Sequence, residues 1–127
     1  MDIPARPVFE PIAHEIWSMK YRYTPDDGIA AETCIEDSWR RVAHAVSAAE
    51  GEDDRLVWAD SFYRILEDYR FLPAGRILSG AGTDRQVTLF NCFVMGQIPD
   101  SLEGIFTQLK EAALTMQQGG GIGHDFS

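Results

Sequence analysis

Cys92 lies within VTLFNCFVM, residues 87–95, directly after Asn91. A thiol can donate a proton, attack as a thiolate or form half of a redox couple, provided its surroundings expose it or tune it. A cysteine inside an apolar strand is more often a small buried hydrophobe that Ala or Val could replace. Asn91 argues the other way, because a poor strand former in an apolar run points to a strand that presents polar atoms to a site. From the residues alone both readings stand. The second feature is GGGIG, residues 119–123, four glycines within five residues. A dinucleotide fingerprint needs glycines between a strand and a helix, and a P-loop needs Lys followed by Ser or Thr; neither pattern is met. The order helix, glycines, strand reads first as a C-cap followed by a tight connection; one glycine would suffice for the cap, and the surplus leaves open a second reading, in which something bulky approaches the backbone closely. Third, Asp100 and Ser101 precede a helical pattern, where unpaired N–H groups could hold a hydroxyl or phosphate, although a simple cap explains them equally well.

The other candidates carry less. His14, His44 and His124 have no metal-ligand spacing with one another or with either cysteine, so zinc is not expected. Glu32, Glu36 and Asp37 read as a solvated helix face. Cys34 has nothing beside it that would tune a thiol, and reads as a structural core residue.

These residues need elements to position them. Apolar periodicity places Ile12, Ile16 and Trp17 on one face of a short helix, and Asp26, Asp27 and Gly28 mark a turn. A long amphipathic helix is expected from about Glu32 to Ala49 through Ile35, Trp39, Val42, Ala43 and Val46. A second, from about Asp54 and ending before Pro73, carries Trp58, Phe62, Ile65, Leu66 and Tyr69. Residues 73–86, rich in glycine, suit tight turns or backbone lying against a ligand. Residues 87–95 read as a strand covered on both faces, broken by Gly96 to Pro99. Asp100 with Glu103 forms a capping-box pair for a third helix, whose buried face would be Leu102, Ile105, Phe106, Leu109, Ala113 and Met116. Gly119 ends that helix, and Ile122 begins another strand. The strand, helix, strand order implies parallel pairing.

The whole has 127 residues, 11 Lys+Arg against 20 Asp+Glu, a net charge of −9, and two cysteines. A core of useful size is possible without disulfides or structural metal. The acidic total argues against nucleic acid and against an anionic membrane surface as partners. No apolar run approaches the roughly 20 residues of a membrane span, and MDIPARPVFEP has no leader pattern. A cytoplasmic location is the expectation. The ending on Phe126 and Ser127, as a strand opens, reads as a piece of a larger protein, from a truncated gene, a split gene or a deliberate shortening.

The stretch from Arg70 to the end, with PAGRILSGAGT, a cysteine on the following strand, the DSLEGIF helix start and the GGGIG turn, resembles the opening of the catalytic domain of ribonucleotide reductases, most of all the adenosylcobalamin-dependent class II enzymes. EIWSMKYRY and EDSWRRVAHAV resemble the helical region that precedes it. The resemblance implies an α+β fragment: a mostly α-helical N-terminal region, residues 1–70, leading at residues 71–127 into the first strands of a ten-stranded α/β barrel. It implies ribonucleoside-diphosphate reductase chemistry, in which a thiyl radical abstracts the 3′ hydrogen, the 2′ hydroxyl leaves as water, and a cysteine pair becomes a disulfide. By motif position Cys92 is one member of that pair. Gly75, Asn91, Cys92 and Gly121 match substrate-contacting positions, and any contact at Gly75 must come from the main chain, since the family often carries Ser or Thr there. Asp100, Ser101 and Leu102 match the helix start that contacts a deoxynucleotide effector.

The radical-bearing cysteine, the second redox cysteine, most of the barrel and the adenosylcobalamin site lie beyond Ser127 in the family. The implied partners are therefore a ribonucleotide, the effector, the remainder of the reductase and a second copy in a homodimer, and the isolated chain is expected to be inactive. The rival expectation is a non-catalytic helical interaction or nucleotide-binding module of reductase ancestry. An unrelated thiol oxidoreductase is disfavoured, because no Cys-x-x-Cys occurs.

Overall fold

A computed structural model describes residues 10–127, in two compact units, Met1–Asp84 and Arg85–Ser127. The stretch read above for a leader lies mostly outside the described residues. The first unit is helical: α1 (Pro11–Lys20), α2 (Ile35–Ser47), α3 (Arg55–Leu66), a 3-10 turn (Glu67–Tyr69) and α4 (Gly75–Gly80). Its core joins Trp39, Val42 and Ala43 of α2 to Leu66 of α3 and to Ala81, just past α4. The Trp39 ring meets Tyr69 edge-on at 5.2 Å, the arrangement ring quadrupoles favour. The expected turn forms, with Gly28 at φ 76° and its N–H donating to Pro25 O at 3.0 Å.

Three expectations shift in this unit. The first long helix starts at Ile35 rather than Glu32, because Cys34 and Asp37 form the cap there, with Asp37 Oδ2 accepting from Cys34 N at 3.3 Å. The helix after it stops at Leu66, and Asp68 and Tyr69 take left-handed φ of 56° and 58°, a costly conformation for residues with a Cβ. The turn carries Tyr69 against Trp39 instead of continuing the helical stripe, on which Trp58 and Ile65 are exposed. Part of the glycine-rich stretch is helix α4, and its close approach is to protein: a Cβ at Gly82, φ 73°, would sit 2.8 Å from Arg41 Cγ.

The second unit is β1 (Cys92–Gln97), α5 (Leu102–Gln117) and β2 (Gly121–Asp125). The strands pair in parallel, as their order implied, with Cys92 opposite Gly121, Phe93 opposite Ile122 and Val94 opposite Gly123. The α5 end is a Schellman cap: Gly120 N donates to Thr115 O at 3.0 Å and Gly119 N to Met116 O at 2.8 Å, with Gly119 at φ 84°.

Here too the expectations change. The strand begins at Cys92, not at residue 87, because β2 first lies alongside at the Cys92–Gly121 pair and the earlier residues have no ladder partner. Neither is it covered on both faces, since Val94 is 91% exposed. It runs through Gly96, φ 84°, with a register shift between Val94 and Gln97, so the glycine bends the strand rather than ending it. Most of all, the apolar stripe of α5 is uncovered: Leu102 is 75% exposed and Phe106 62%, with Ile105, Leu109 and Met116 also exposed. The covered positions are instead Gly104, Gln108, Ala112 and Thr115. Among the described residues no helix is long and apolar enough to cross a membrane.

Candidate functional site

Parallel pairing assembles one cluster at the start of the two strands. Gly121 N donates to Asn91 O at 2.8 Å, which seats Gly121 directly opposite Cys92. A Cβ at Gly121 would lie 3.3 Å from Cys92 Sγ and from Asn91 O. The missing side chain therefore leaves room on the very face where the thiol stands. Cys92 is exposed and in no disulfide. The buried-hydrophobe reading of this cysteine fails, and a thiol open to a ligand or to a second thiol stands in its place. Three of the four expected substrate-contacting residues, Asn91, Cys92 and Gly121, are thus brought together.

Gly75, the fourth, belongs to the helical unit, as the first residue of α4. A Cβ there would lie 3.1 Å from Tyr21 Oη and 3.3 Å from Tyr21 Cε1, so a Tyr21 ring packed under the backbone already explains the glycine.

The glycine cluster after α5 has mostly internal reasons. Gly119 caps the helix, and Gly120 makes room for a ring, since a Cβ there would meet Phe93 Cε2 at 2.8 Å and Thr115 Cγ2 at 2.9 Å. Gly123 differs, because a Cβ there would meet nothing within 4 Å.

Asp100, Ser101 and Leu102 gather at the opposite end of β1. Ile98 N donates to Asp125 O at 3.0 Å, closing the strand pair just before them. The cap is Ser101, whose Oγ accepts from Gly104 N at 3.0 Å; this corrects the Asp100–Glu103 pairing. Asp100 lies outside the helix and exposed, so its carboxylate is not committed to the cap. Beside Ser101 runs a shallow cavity of about 280 Å³, lined in part by Pro99, Gly104, Gln108 and Glu111. In it Gln108 Oε1 is buried without a hydrogen-bond partner. Between the two clusters runs β1, whose five steps from Cys92 to Gln97 span about 17 Å at roughly 3.3 Å each.

Two sequence readings are overturned outside these clusters. Cys34 is exposed at the start of α2 and is not a core residue. Partial burial, together with the Glu36 and Asp37 carboxylates, pushes its thiol above the usual range, the opposite of activation. Glu32 is not part of a solvated helix face but is 3% exposed. Its Oε1 accepts from Arg41 Nε at 2.6 Å, and its Oε2 from Ser38 Oγ at 2.6 Å and Tyr23 N at 2.8 Å. The Trp17 indole N–H donates to the same Ser38 hydroxyl at 2.9 Å. The available signal was Ser38 and Arg41 three residues apart, flanking the apolar stripe of α2.

The chain is similar to known proteins. Residues 8–86 match the family described as "Ribonucleotide reductase, all-alpha domain". Over 111 residues the chain is 41% identical to the "Vitamin B12-dependent ribonucleoside-diphosphate reductase" of Mycobacterium tuberculosis (strain CDC 1551 / Oshkosh), covering 85% of the chain and 16% of that protein. It is 39% identical over 83 residues to the "Ribonucleoside-diphosphate reductase subunit alpha" of Helicobacter pylori (strain ATCC 700392 / 26695), covering 65% of the chain and 10% of that protein. To the "Ribonucleoside-diphosphate reductase large subunit" of Vaccinia virus (strain Copenhagen) it is 40% identical over 65 residues, 51% of the chain and 8% of that protein. The chain therefore spans at most about a sixth of the length of these relatives.

Proposed function

The chain belongs to the ribonucleotide reductase family, and from that premise we propose that it is the N-terminal part of an adenosylcobalamin-dependent reductase, supplying one redox cysteine and parts of the substrate and effector sites. In this reading the helical residues lead into the first strands of the ten-stranded barrel, with 1–70 and 71–127 as the two domain portions. The remainder of the enzyme supplies the other strands, the second redox cysteine and the radical cysteine. The observation that carries it is the exposed Cys92 facing side-chain-free Gly121 across the first strand pair.

Cys92 can give its proton to the departing 2′ hydroxyl, which leaves as water. Cys92 and a second thiol from the remainder of the enzyme then lose two electrons and two protons in all and form a disulfide, while carbon 2′ gains hydrogen in place of hydroxyl. Backbone at Asn91 and Gly121, and at Gly75, contacts the ribonucleotide. At the far end of β1, Asp100 accepts from the effector sugar, with Ser101 and Leu102 beside it. The name of the mycobacterial relative supports a vitamin B12 cofactor. Among the described residues no three His, Cys, Asp or Glu side chains converge to hold a metal ion. In this proposal the cofactor's site lies in the rest of the enzyme. A cytoplasmic, homodimeric holoenzyme completes the proposal.

The test is turnover by the assembled reductase. With the chain joined to its C-terminal complement, Cys92→Ala should abolish deoxynucleotide formation while far-UV circular dichroism stays unchanged. Retained turnover would overturn the role of Cys92 and favour the non-catalytic interaction module.

A further inference from the structure

Helix α4 has six residues, Gly75–Gly80, too few for a helix to hold its own conformation. No side chain caps its start. At its other end, beside the core contacts of Ile77, Leu78 and Ala81, one side chain from α2 reaches the carbonyls. Arg41 Nη1 donates to Ala81 O at 2.5 Å and Nη2 to Leu78 O at 2.8 Å, the last carbonyls of a helix being those left without internal donors. The Nη2 of that guanidinium also reaches Tyr21 O at 3.4 Å. Tyr21 is the residue whose ring lies under Gly75. One side chain thus holds both partners of the contact that surrounds Gly75: α4 by its C-terminal carbonyls, and Tyr21 by its backbone.

Arg41 is itself held. Its Nε donates to Glu32 Oε1 at 2.6 Å, and the two side chains are 10% and 4% exposed. Glu32 is fixed in turn by Ser38 Oγ and Tyr23 N, and its backbone oxygen accepts from Arg22 Nε at 2.7 Å. A buried ion pair is an inefficient way to gain stability, because desolvation offsets much of the attraction, and an apolar pair often serves as well. What the fork provides is geometry. A planar guanidinium satisfies a carboxylate and three carbonyls at fixed angles, which an ammonium cannot do.

We infer that Glu32 and Arg41 are positioning residues that hold α4 and Tyr21 in register, so that Gly75 presents its backbone to the substrate in one fixed conformation. The substrate half of this inference rests on the proposed function; the positioning half does not. Neither residue touches the proposed reacting atoms, so their effect is on binding rather than on chemistry.

Arg41→Lys keeps the charge and loses the fork, and Glu32→Gln keeps an acceptor and loses the charge. Amide hydrogen exchange on the 127-residue chain decides the positioning. Both variants should speed exchange at residues 75–84 by tenfold or more, with α2 and α3 protected as in the parent. A uniform rise across the helical unit would overturn positioning in favour of a general stabilising role. In the assembled reductase, both variants should raise KM for the ribonucleotide several-fold and leave kcat within twofold. Selective exchange with unchanged KM would overturn the link to substrate. A parent assembly with no turnover would sink the proposed function alone, while the exchange pattern still decides the clamp.

Discussion

The helical unit closes its own core, and the βαβ unit does not. Trp39, Val42, Ala43 and Leu66 are buried within the first, and an ion pair is buried beside them. Within Arg85–Ser127 only Ala112 and Gly120 are buried, while Phe90, Val94, Leu102, Phe106 and Phe126 stand exposed. Periodicity thus marks a face made to be covered without saying which part of a protein covers it. In the first unit α2 and α3 cover each other. In the second, one crossover helix and two strands leave one face of the sheet and most of the apolar surface of α5 open. Exposed apolar surface on this scale marks an interaction face, and in the proposed reductase the remaining barrel strands and helices are its cover.

The largest expected effect tests the closed core. Trp39→Ala should destabilise the helical unit by about 3–5 kcal/mol. Urea denaturation followed by tryptophan fluorescence reads this unit selectively, because Trp17, Trp39 and Trp58 all lie in it. Phe106→Ala on α5 should cost about 0.5 kcal/mol or less in the chain alone, read by circular dichroism; a loss comparable to that of Trp39→Ala would erase the contrast between the units.

Next come the glycines. Gly120→Ala forces a Cβ to within 2.8 Å of the Phe93 ring and should cost about 1–3 kcal/mol. Gly123→Ala meets open space and should be near neutral, both variants being read by urea denaturation followed by circular dichroism. Equal losses would mean that the packing under Gly120 yields more readily than the contacts imply.

A smaller effect separates cap from neighbour. Ser101→Ala should lower stability by about 1 kcal/mol, whereas Asp100→Ala should change it by about 0.5 kcal/mol or less. In the assembled enzyme the proposal assigns the reverse order to effector binding, with Asp100→Ala the more damaging by equilibrium dialysis.

The smallest effect concerns acid. Hydrogen bonds from Thr33 N, Thr33 Oγ1 and Cys34 N hold the Asp37 carboxyl down at about 2, against 3.8 for the free group. A carboxyl lowered on folding contributes stability above its unfolded value, and that stability is lost as the pH falls through its folded value. The helical unit should therefore weaken between about pH 4 and pH 2, and Asp37→Asn should flatten that limb. The effect is modest because the Asp37 side chain is 30% exposed and solvent screens it.

Much of this was legible in local pattern. The turn at residues 26–28, the spacing of Trp39, Val42 and Ala43, the glycine stop of α5 and the parallel strand order all follow from signals a few residues wide. The start of β1 was not legible, because a strand begins where its partner does, and that partner is some thirty residues away in sequence, at Gly121. Nor was the true cap of α5, since Asp100 and Ser101 are both good capping residues and only backbone geometry separates them. Glu32 was misread for a similar reason. A carboxylate beside a helix reads as wet until the chain folds back, and Tyr23, Ser38 and Arg41 meet it from three directions.

Residue type and spacing along single stretches of chain were enough for the family resemblance, the helical beginning, the βαβ order and a strand position for Cys92, whereas the second strand begins at Gly121, one residue before the Ile122 that the pattern gave. The openness of Cys92 opposite a glycine, the bare apolar face of α5 and the grip of Arg41 on α4 through Leu78 and Ala81 appear only in the folded chain. Those depend on what approaches from elsewhere in the chain, and burial, register and hydrogen-bond partners are properties of pairs of segments rather than of either one.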